Sequence, residues 1–254
     1  MAYQYRSGFF SSIPTVTKNL IIINFLFWLA SLALPKFNID LISMLGLHFP
    51  AASNFRFYQL FTYMFMHDNH SINHVFFNMF AVFMFGRVLE EGWGKQRFLF
   101  YYMATGVGAA LIQILVAYIQ IHSIESHMDS EAISMVYREG GALLKQNMNY
   151  TDEYAGQLNL IINTPTIGAS GAVFGILLAF GMLFPNTPLF LLFLPIPIKA
   201  KYFVAIYGVI ELFLGVANFS GDNVAHFAHL GGMLFGFFMI RYWKKKDQEH
   251  GHFY

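Results

Sequence analysis

The sequence TIGASGAVFG, residues 166–175, opens a long apolar run with one serine set among three glycines. Ser170 is uncharged but polar, and a hydrogen-bonding group inside a bilayer is costly unless it has a partner. The stretch therefore raises the question of which other polar residues reach the same depth of a membrane.

Composition restricts the class of protein. The chain has 254 residues, of which 56% are hydrophobic and only 11% are charged, whereas soluble domains carry roughly 25% charged residues. This indicates an integral membrane protein. A net charge of +1 provides no clustered basic surplus for a nucleic-acid partner. The absence of cysteine excludes disulfides and thiol chemistry, so that any reaction must use Ser, His, Asp or Glu.

Apolar segments of about 20 residues cross a bilayer as helices, and the sequence contains six such segments. They predict an all-α bundle of six transmembrane helices, forming one domain over residues 1–254. The proline-rich connection FPNTPLFLLFLPIPIKAK, residues 184–201, is predicted to be rich in turns and not one continuous helix. The predicted spans are residues 18–35, 73–90, 98–120, 168–185, 200–218 and 226–242.

The distribution of lysine and arginine predicts the orientation, because short cytoplasmic loops are enriched in these residues. With six spans, the basic connections and both tails fall on one side, and both termini are expected to be cytoplasmic. The connection 121–165 is acidic and is expected outside, either as an amphipathic helical segment on the membrane surface or as a solvated spacer. The basic residues are Arg6, Lys18, Arg87, Lys95, Arg97, Lys199, Lys201, Arg241, Lys244, Lys245 and Lys246.

In this topology the second, fourth and sixth spans all enter the membrane from the outer side. Each of them brings polar residues to its first turns, while the inner halves are almost wholly apolar. A single serine or histidine in a span usually serves packing, but several at one depth favour a functional site. These residues are Ser170 in the fourth span, His226 and His229 in the sixth, and His67, His70, His74 and Asn78 at the second.

Glycine pairs predict how the fourth and sixth spans meet. Small residues spaced four apart allow helix backbones to approach closely. One pair directly follows Ser170 and the other directly follows His229, so packing through the pairs would bring the two side chains within hydrogen-bond range. The pairs are Gly171 with Gly175 and Gly232 with Gly236.

A serine hydroxyl is a weak nucleophile that needs an adjacent base. His229 is the predicted base for Ser170, with Phe174 packing against the imidazole. No acidic residue lies near either one in the sequence, so we expect a Ser-His dyad without an orienting acid. The side chains of His74 and Asn78, together with the unpaired backbone N–H of Ser170 at the helix start, are predicted to form an oxyanion hole.

These residues resemble the rhomboid intramembrane serine proteases. The similarity rests on three motifs in order: HVFFNMF in the second span, followed by FG and Glu90; GASG opening the fourth span; and AHLGGMLFG in the sixth. It covers roughly residues 55–242. The chain departs from the pattern at Tyr58-Gln59, where many members carry Trp-Arg, and at Phe174, where a tyrosine is frequent.

The resemblance implies a nucleophile at Ser170, a base at His229 and oxyanion-hole side chains at His74 and Asn78. It places Gly168, in the GASG motif, beside the dyad, and makes residues 36–66 a partly embedded first outer loop. The expected substrates are single-span transmembrane proteins cut near the outer face of the bilayer, without a metal or another cofactor. The expected location is a bacterial inner membrane.

Two other functions remain open from the sequence. His67, His70 and His74 are spaced i, i+3 and i+7 and would share a helical face, and imidazoles suit zinc or nickel. Against a metal-binding protein, we expect no Asp or Glu deep in the spans. An inactive rhomboid-like scaffold that binds membrane helices is the other alternative.

Overall fold

The computed structural model describes residues 12–191, 194–217 and 224–249. Most of these residues are helical, and the described elements include one two-stranded hairpin. The helices are α1 (Thr15–Ala33), α2 (Leu41–Leu45), α3 (Gln59–Thr62), α4 (Ile72–Ala81), α5 (Arg87–Trp93), α6 (Lys95–Glu125), α7 (Ser130–Lys145), α8 (Glu153–Asn163), α9 (Ser170–Leu183), α10 (Ala200–Ala217) and α11 (His226–Glu249). A π-helical turn at Val82–Gly86 joins α4 to α5.

Each predicted span coincides with a helix or a pair of joined helices. Among the described residues, four segments are long and apolar enough to cross a membrane. α9 is apolar but has only 14 residues, and the second half of α11 carries several basic side chains. The structure therefore supports a polytopic helical membrane protein, while the number of six spans stays a prediction. The four segments that are long and apolar enough to cross a membrane are Thr15–Phe37, Ile72–Trp93, Lys95–Glu125 and Ala200–Ala217. Arg6 and residue 218, the end of the fifth predicted span, lie outside the described residues.

α9 occupies the centre of the bundle. Ten of its 14 residues are buried, as expected for a helix that is apolar on every side. It packs mainly against α11 and α6. The helix that begins at Ser170 is thus enclosed by its neighbours.

Small residues set the distance between α9 and its neighbours. A side chain at Gly232 of α11 would overlap the carbonyl oxygen of Gly171, so that the two backbones are in direct contact there. Gly175 faces Thr105 of α6, where an added Cβ would lie 2.7 Å from the threonine Cβ. A side chain at Gly236 would overlap the hydroxyl of Tyr101. Tyr101 also donates a 2.8 Å hydrogen bond to the carbonyl of Gly175.

Glu90 anchors the first helix to the bundle. Its Oε1 accepts a 2.9 Å hydrogen bond from the backbone N–H of Val16, and its Oε2 accepts from the backbone N–H and the hydroxyl of Thr17 at 2.7 and 2.8 Å. A carboxylate is favoured at the N-terminus of a helix because the first N–H groups there have no partner within the helix. The role of this buried glutamate is therefore to fix the start of α1.

The first loop, between α1 and α4, is organised by Gln59. Its amide donates to the carbonyl oxygens of Met44 and Asn54 at 3.2 and 2.9 Å, and its oxygen accepts from the backbone N–H of Arg56 at 3.1 Å. This neutral side chain joins Met44 to the segment 54–56, at the position where the family that the sequence resembles often carries arginine. The loop also pairs with the entry to α9, because Leu47 and Thr166 exchange backbone hydrogen bonds of 2.9 and 2.8 Å.

The connection 121–165 contains two helices, α7 and α8, which pack against each other. Asp129 and Asp152 cap them, since each carboxylate accepts from a backbone N–H three residues later. Val136 and Leu158 are fully buried between the two helices and the end of α6. This segment is therefore an ordered helical layer and not an irregular spacer.

The connection between α9 and α10 contains strands, which the all-α prediction did not include. β1 (Pro188–Leu191) and β2 (Leu194–Lys199) pair antiparallel, with Pro188 opposite Lys199 and Leu189 opposite Ile198. Proline cannot occupy a helix interior because it lacks the N–H, but it is tolerated in an extended edge strand. The prolines that excluded a helix here are thus compatible with a hairpin.

Two histidines of the first loop are buried. His48 and His67 are 2% and 0% exposed, and the ring of His67 lies 5.0 Å from that of His74. Burial, with a smaller contribution from His74, lowers the pKa of His67 to about 3 from its ordinary value of 6.5. Burial also lowers the pKa of His48. Both rings are therefore neutral in the folded protein at neutral pH.

Replacing Gly232 with leucine is expected to destabilise the bundle, because the new side chain displaces the backbone of Gly171. The free energy of unfolding is expected to fall by about 1–3 kcal/mol, the usual cost of overpacking. Reversible unfolding in mixed detergent micelles measures it. Gly92→Leu is the control, since a Cβ at Gly92 meets nothing within 4 Å. Equal stability of both variants would refute the close contact between α9 and α11.

Acid is expected to destabilise the protein through His67. Its folded pKa is depressed, so its contribution to stability is complete above 6.5 and is lost as the pH falls from 6.5 toward about 3. The melting temperature in detergent should therefore fall between about pH 7.5 and about pH 5.5, and it should fall less in His67→Phe. An identical pH dependence in the two proteins would show that His67 is not buried in its neutral form.

Candidate active site

Ser170 is the first residue of α9, and the chain reaches it through a glycine in an unusual conformation. Gly168 has φ +121°, which L side chains rarely adopt. A Cβ at Gly168 would also lie 2.7 Å from Nε2 of His74. The backbone N–H of Gly168 donates to the carbonyl of Tyr63 at 3.0 Å. Glycine is thus required at position 168 both for the turn and for the approach of His74 toward Ser170.

The first turn of α11 brings His229 to Ser170. The distance between Nε2 of His229 and Oγ of Ser170 is 2.8 Å, which is a normal hydrogen-bond length. His229 is buried, at 8% exposure. The imidazole is stacked on the ring of Phe174, with centroids 4.2 Å apart and an interplanar angle of 6°. The contact between Gly171, the residue after Ser170, and Gly232, one turn after His229, allows this approach.

The structure contradicts the expectation that no acidic residue lies near the histidine or deep in the spans. Glu211 of α10 is 4% exposed, and its Oε2 lies 2.7 Å from Nδ1 of His229. The same oxygen lies 2.7 Å from Nδ1 of His226. The acid was missed because it is distant in sequence and comes from a different helix. The sequence did contain an indication, since an ionisable residue within a span is by default a candidate functional residue.

His74 approaches the serine from α4. Its Nδ1 accepts a 3.3 Å hydrogen bond from the backbone N–H of Asp68. The neutral ring therefore carries its hydrogen on Nε2, the atom beside Gly168 and Ser170. This N–H is a hydrogen-bond donor beside Gly168, at the edge of the site.

Asn78 lies one turn after His74 and is also buried, at 6% exposure. Its amide nitrogen donates a 3.0 Å hydrogen bond to the backbone carbonyl of His74. The described hydrogen bond of Asn78 is thus within its own helix, and no bond from Asn78 to Ser170 is described. The oxyanion-hole role predicted for Asn78 stays a prediction.

The helical face of three histidines on which the alternative of a metal-binding protein depended is not formed. α4 begins at Ile72 with Ser71 as its cap, so His67 and His70 precede the helix and do not continue its face. His67 is buried beside His74, whereas His70 is exposed and its backbone N–H bonds to Asp68. Among the described residues, the group with metal-ligating atoms within 4.8 Å of one another is instead Glu211, His226 and His229.

Comparison with known proteins places these features in a family. A family model described as the rhomboid domain matches residues 54–246. The chain is also 36% identical over 90 residues to an uncharacterized rhomboid protein of Schizosaccharomyces pombe whose name includes the term mitochondrial. That match covers 33% of this chain and 23% of the relative, so the chain spans less than a quarter of the relative's length in the alignment.

The matched range includes His74, Ser170, Glu211, His226 and His229. It covers more than half of the sequence. The chain therefore belongs to the rhomboid family.

Proposed function

We propose that the protein is an intramembrane serine endopeptidase that uses Ser170 as nucleophile and His229 as general base. The observation that carries the proposal is the 2.8 Å contact between His229 Nε2 and Ser170 Oγ, in a chain of the rhomboid family. Both side chains belong to helices of a membrane bundle, and a hydroxyl beside an imidazole is the arrangement that nucleophilic catalysis needs.

The proposed reaction proceeds in two steps. Ser170 Oγ attacks the scissile carbonyl carbon while its proton moves to His229 Nε2. The imidazolium then protonates the leaving amine, and the C–N bond breaks to leave an acyl-enzyme. Water, deprotonated by the same imidazole, hydrolyses the ester and restores the hydroxyl of Ser170.

The developing oxyanion needs hydrogen-bond donors. We propose that the Nε2–H of His74 and the backbone N–H of Ser170 provide them, with the side chain of Asn78 as a further donor. The orientation of His74 supports this, because the bond from Asp68 to Nδ1 leaves the Nε2–H free to point toward the site. The N–H of Ser170 belongs to the first turn of α9, where helix N–H groups have no partner within the helix.

The length of α9 supports cleavage below a membrane surface. Fourteen residues extend about 21 Å, less than the roughly 30 Å of a hydrocarbon core. If the C-terminal end of α9 lies at one membrane surface, Ser170 at its other end lies inside the bilayer, below the opposite surface. We place this side outside, with both termini cytoplasmic, on the distribution of basic residues. The bacterial inner membrane that the resemblance implies is kept as the proposed host.

The proposed substrates are single-span transmembrane proteins. A helix hides its carbonyl groups in i to i+4 hydrogen bonds, so only a locally unwound segment can present a peptide bond to Ser170. Substrates with helix-weakening residues and a small side chain near the cut are therefore expected to be preferred.

A His-based metal protein is the second candidate function, favoured by the grouping of Glu211, His226 and His229. It requires the same imidazole that the protease uses as a base. The two functions therefore differ in their response to a chelator and to loss of the serine. An inactive scaffold would show no turnover, with or without the chelator and with or without Ser170.

Ser170→Ala and His229→Ala are each expected to lower turnover of a fluorogenic transmembrane substrate by at least about 10³-fold, since either change removes a component of the nucleophile. Proteoliposomes containing purified protein provide the assay, and EDTA should leave wild-type turnover unchanged. Ser126→Ala is the matched control, because Ser126 Oγ contacts His127 Nδ1 at 3.2 Å on the exposed end of α6. This control should cleave like the wild type.

Turnover that survives Ser170→Ala would contradict the proposed function. Turnover that EDTA abolishes in the wild type would favour the metal protein.

A further inference from the structure

We propose that Glu211 is a positioning residue for His229, so that the site is a Ser-His-Glu triad in which His226 holds the carboxylate. This inference rests on the proposed function and extends it beyond a dyad. It starts from a continuous line of contacts: Ser170 Oγ to His229 Nε2 at 2.8 Å, and His229 Nδ1 to Glu211 Oε2 at 2.7 Å.

The carboxylate determines which nitrogen of His229 carries the hydrogen. An ionised carboxylate only accepts hydrogen bonds, so Nδ1 must donate to it. The neutral ring then has its lone pair on Nε2, the atom that faces the serine hydroxyl. Without this acceptor the ring is free to carry its hydrogen on Nε2, and that tautomer cannot remove a proton from Ser170.

Glu211 is directed into the bundle by the arrangement of α10. The buried residues of this helix are Ala200, Val204 and Glu211, which lie on one side of it at spacings of four and seven. The opposite side is apolar and exposed, as Val209 and Phe213 illustrate. An apolar outer face suits lipid, and it leaves Glu211 as the acidic group that α10 presents to α11.

His226 lowers the cost of burying the charged carboxylate of Glu211. A carboxylate within a bilayer is costly unless hydrogen-bond donors or opposite charges surround it. His226 and His229 are three residues apart on α11, and both Nδ1 atoms lie 2.7 Å from the same oxygen. His226 therefore supplies a second N–H donor, which fixes the carboxylate in front of His229.

The groups that face His229 come from four helices. α9 contributes Ser170 and the stacked ring of Phe174, α10 contributes Glu211, and α11 itself contributes His226. His74 of α4 is a further titratable neighbour of His229, and Tyr207 of α10 lies beside Phe174 and Glu211. When Nε2 takes the serine proton, the imidazolium lies between these groups and its charge is balanced by the carboxylate of Glu211, which stays ionised throughout.

A metal ion at the same three residues would have a different effect. Binding through Nδ1 of His229 would leave the hydrogen on Nε2, and the imidazole would no longer act as a base. The geometry favours hydrogen bonding, because both Nδ1 atoms approach a single oxygen at 2.7 Å. Added Zn²⁺ is therefore expected to inhibit turnover and not to activate it.

The test compares Glu211→Gln with Glu90→Gln, since both wild-type residues are buried glutamates that accept hydrogen bonds. Glu211→Gln is expected to lower kcat by about 10²–10⁴-fold with KM changed by less than about threefold, because substrate binding does not involve the carboxylate. Glu211→Asp, which keeps the charge, should recover part of the loss. Glu90→Gln should change the melting temperature and leave kcat within about twofold of the wild type.

Nitrogen NMR of ¹⁵N-histidine-labelled protein tests the positioning role without any substrate. The resonances of His229 are assigned by comparison with His229→Ala. They should show hydrogen on Nδ1 in the wild type and a shift toward the Nε2–H form in Glu211→Gln. Wild-type protein with hydrogen on Nε2 would overturn the inference, and this holds even if Glu211→Gln fails to fold.

The outcomes separate this inference from the proposed function. Unchanged kcat in Glu211→Gln, together with loss of turnover in Ser170→Ala, would refute the triad and leave the protease proposal intact. Activation by Zn²⁺ would refute the triad in favour of a metal site. Absence of wild-type turnover would contradict the protease proposal, and the NMR result would still decide whether Glu211 positions His229.

Discussion

The direct contact between the backbones of α9 and α11, at Gly171 and Gly232, is the constraint on which the rest of the site depends. Helices that carry larger side chains stay 8–10 Å apart or more between their axes, and a short side chain such as serine would not reach across. Here the space for a side chain at Gly232 is occupied by the carbonyl of Gly171. Because Ser170 directly precedes Gly171 and His229 lies one turn before Gly232, the same approach places the hydroxyl of Ser170 against the ring of His229.

Among the residues whose burial the structure describes, two glutamates are buried, and they serve different purposes. Glu90 accepts three hydrogen bonds from the start of α1 and fastens that helix to the others. Glu211 accepts from two imidazoles next to the serine. A carboxylate is expensive in either place, and each is compensated by donors held in position by neighbouring helices. The position of α10, which carries Glu211, therefore affects the environment of the proposed base directly.

Much of this architecture follows from local features of the sequence. Apolar segments long enough to cross a membrane located the main helices, because their length and composition depend on the bilayer alone. Gly171 and Gly232 correctly indicated that α9 and α11 pack closely, since close packing needs small residues. The other member of each pair does not serve that contact, because Gly175 and Gly236 face Thr105 and Tyr101 of α6.

Other features depend on tertiary contacts that no local pattern contains. Glu211 reaches His229 from another helix, 18 residues earlier in the chain, and proximity in sequence gave no sign of it. The prolines of residues 184–201 excluded a helix correctly, but they did not distinguish turns from the β1–β2 hairpin. His67 and His70 matched a helical spacing, yet the cap at Ser71 begins α4 after them.

The central claim is that the contact with His229 activates Ser170. Treating the purified protein with a fluorophosphonate, which phosphonylates activated serine hydroxyls, and locating the adduct by mass spectrometry tests this claim most directly. The account predicts an adduct on Ser170 in the wild type, formed at a rate that falls sharply when His229 is replaced by alanine. Reaction at Ser170 that is equally fast without His229, or no adduct on Ser170 at all, would contradict it.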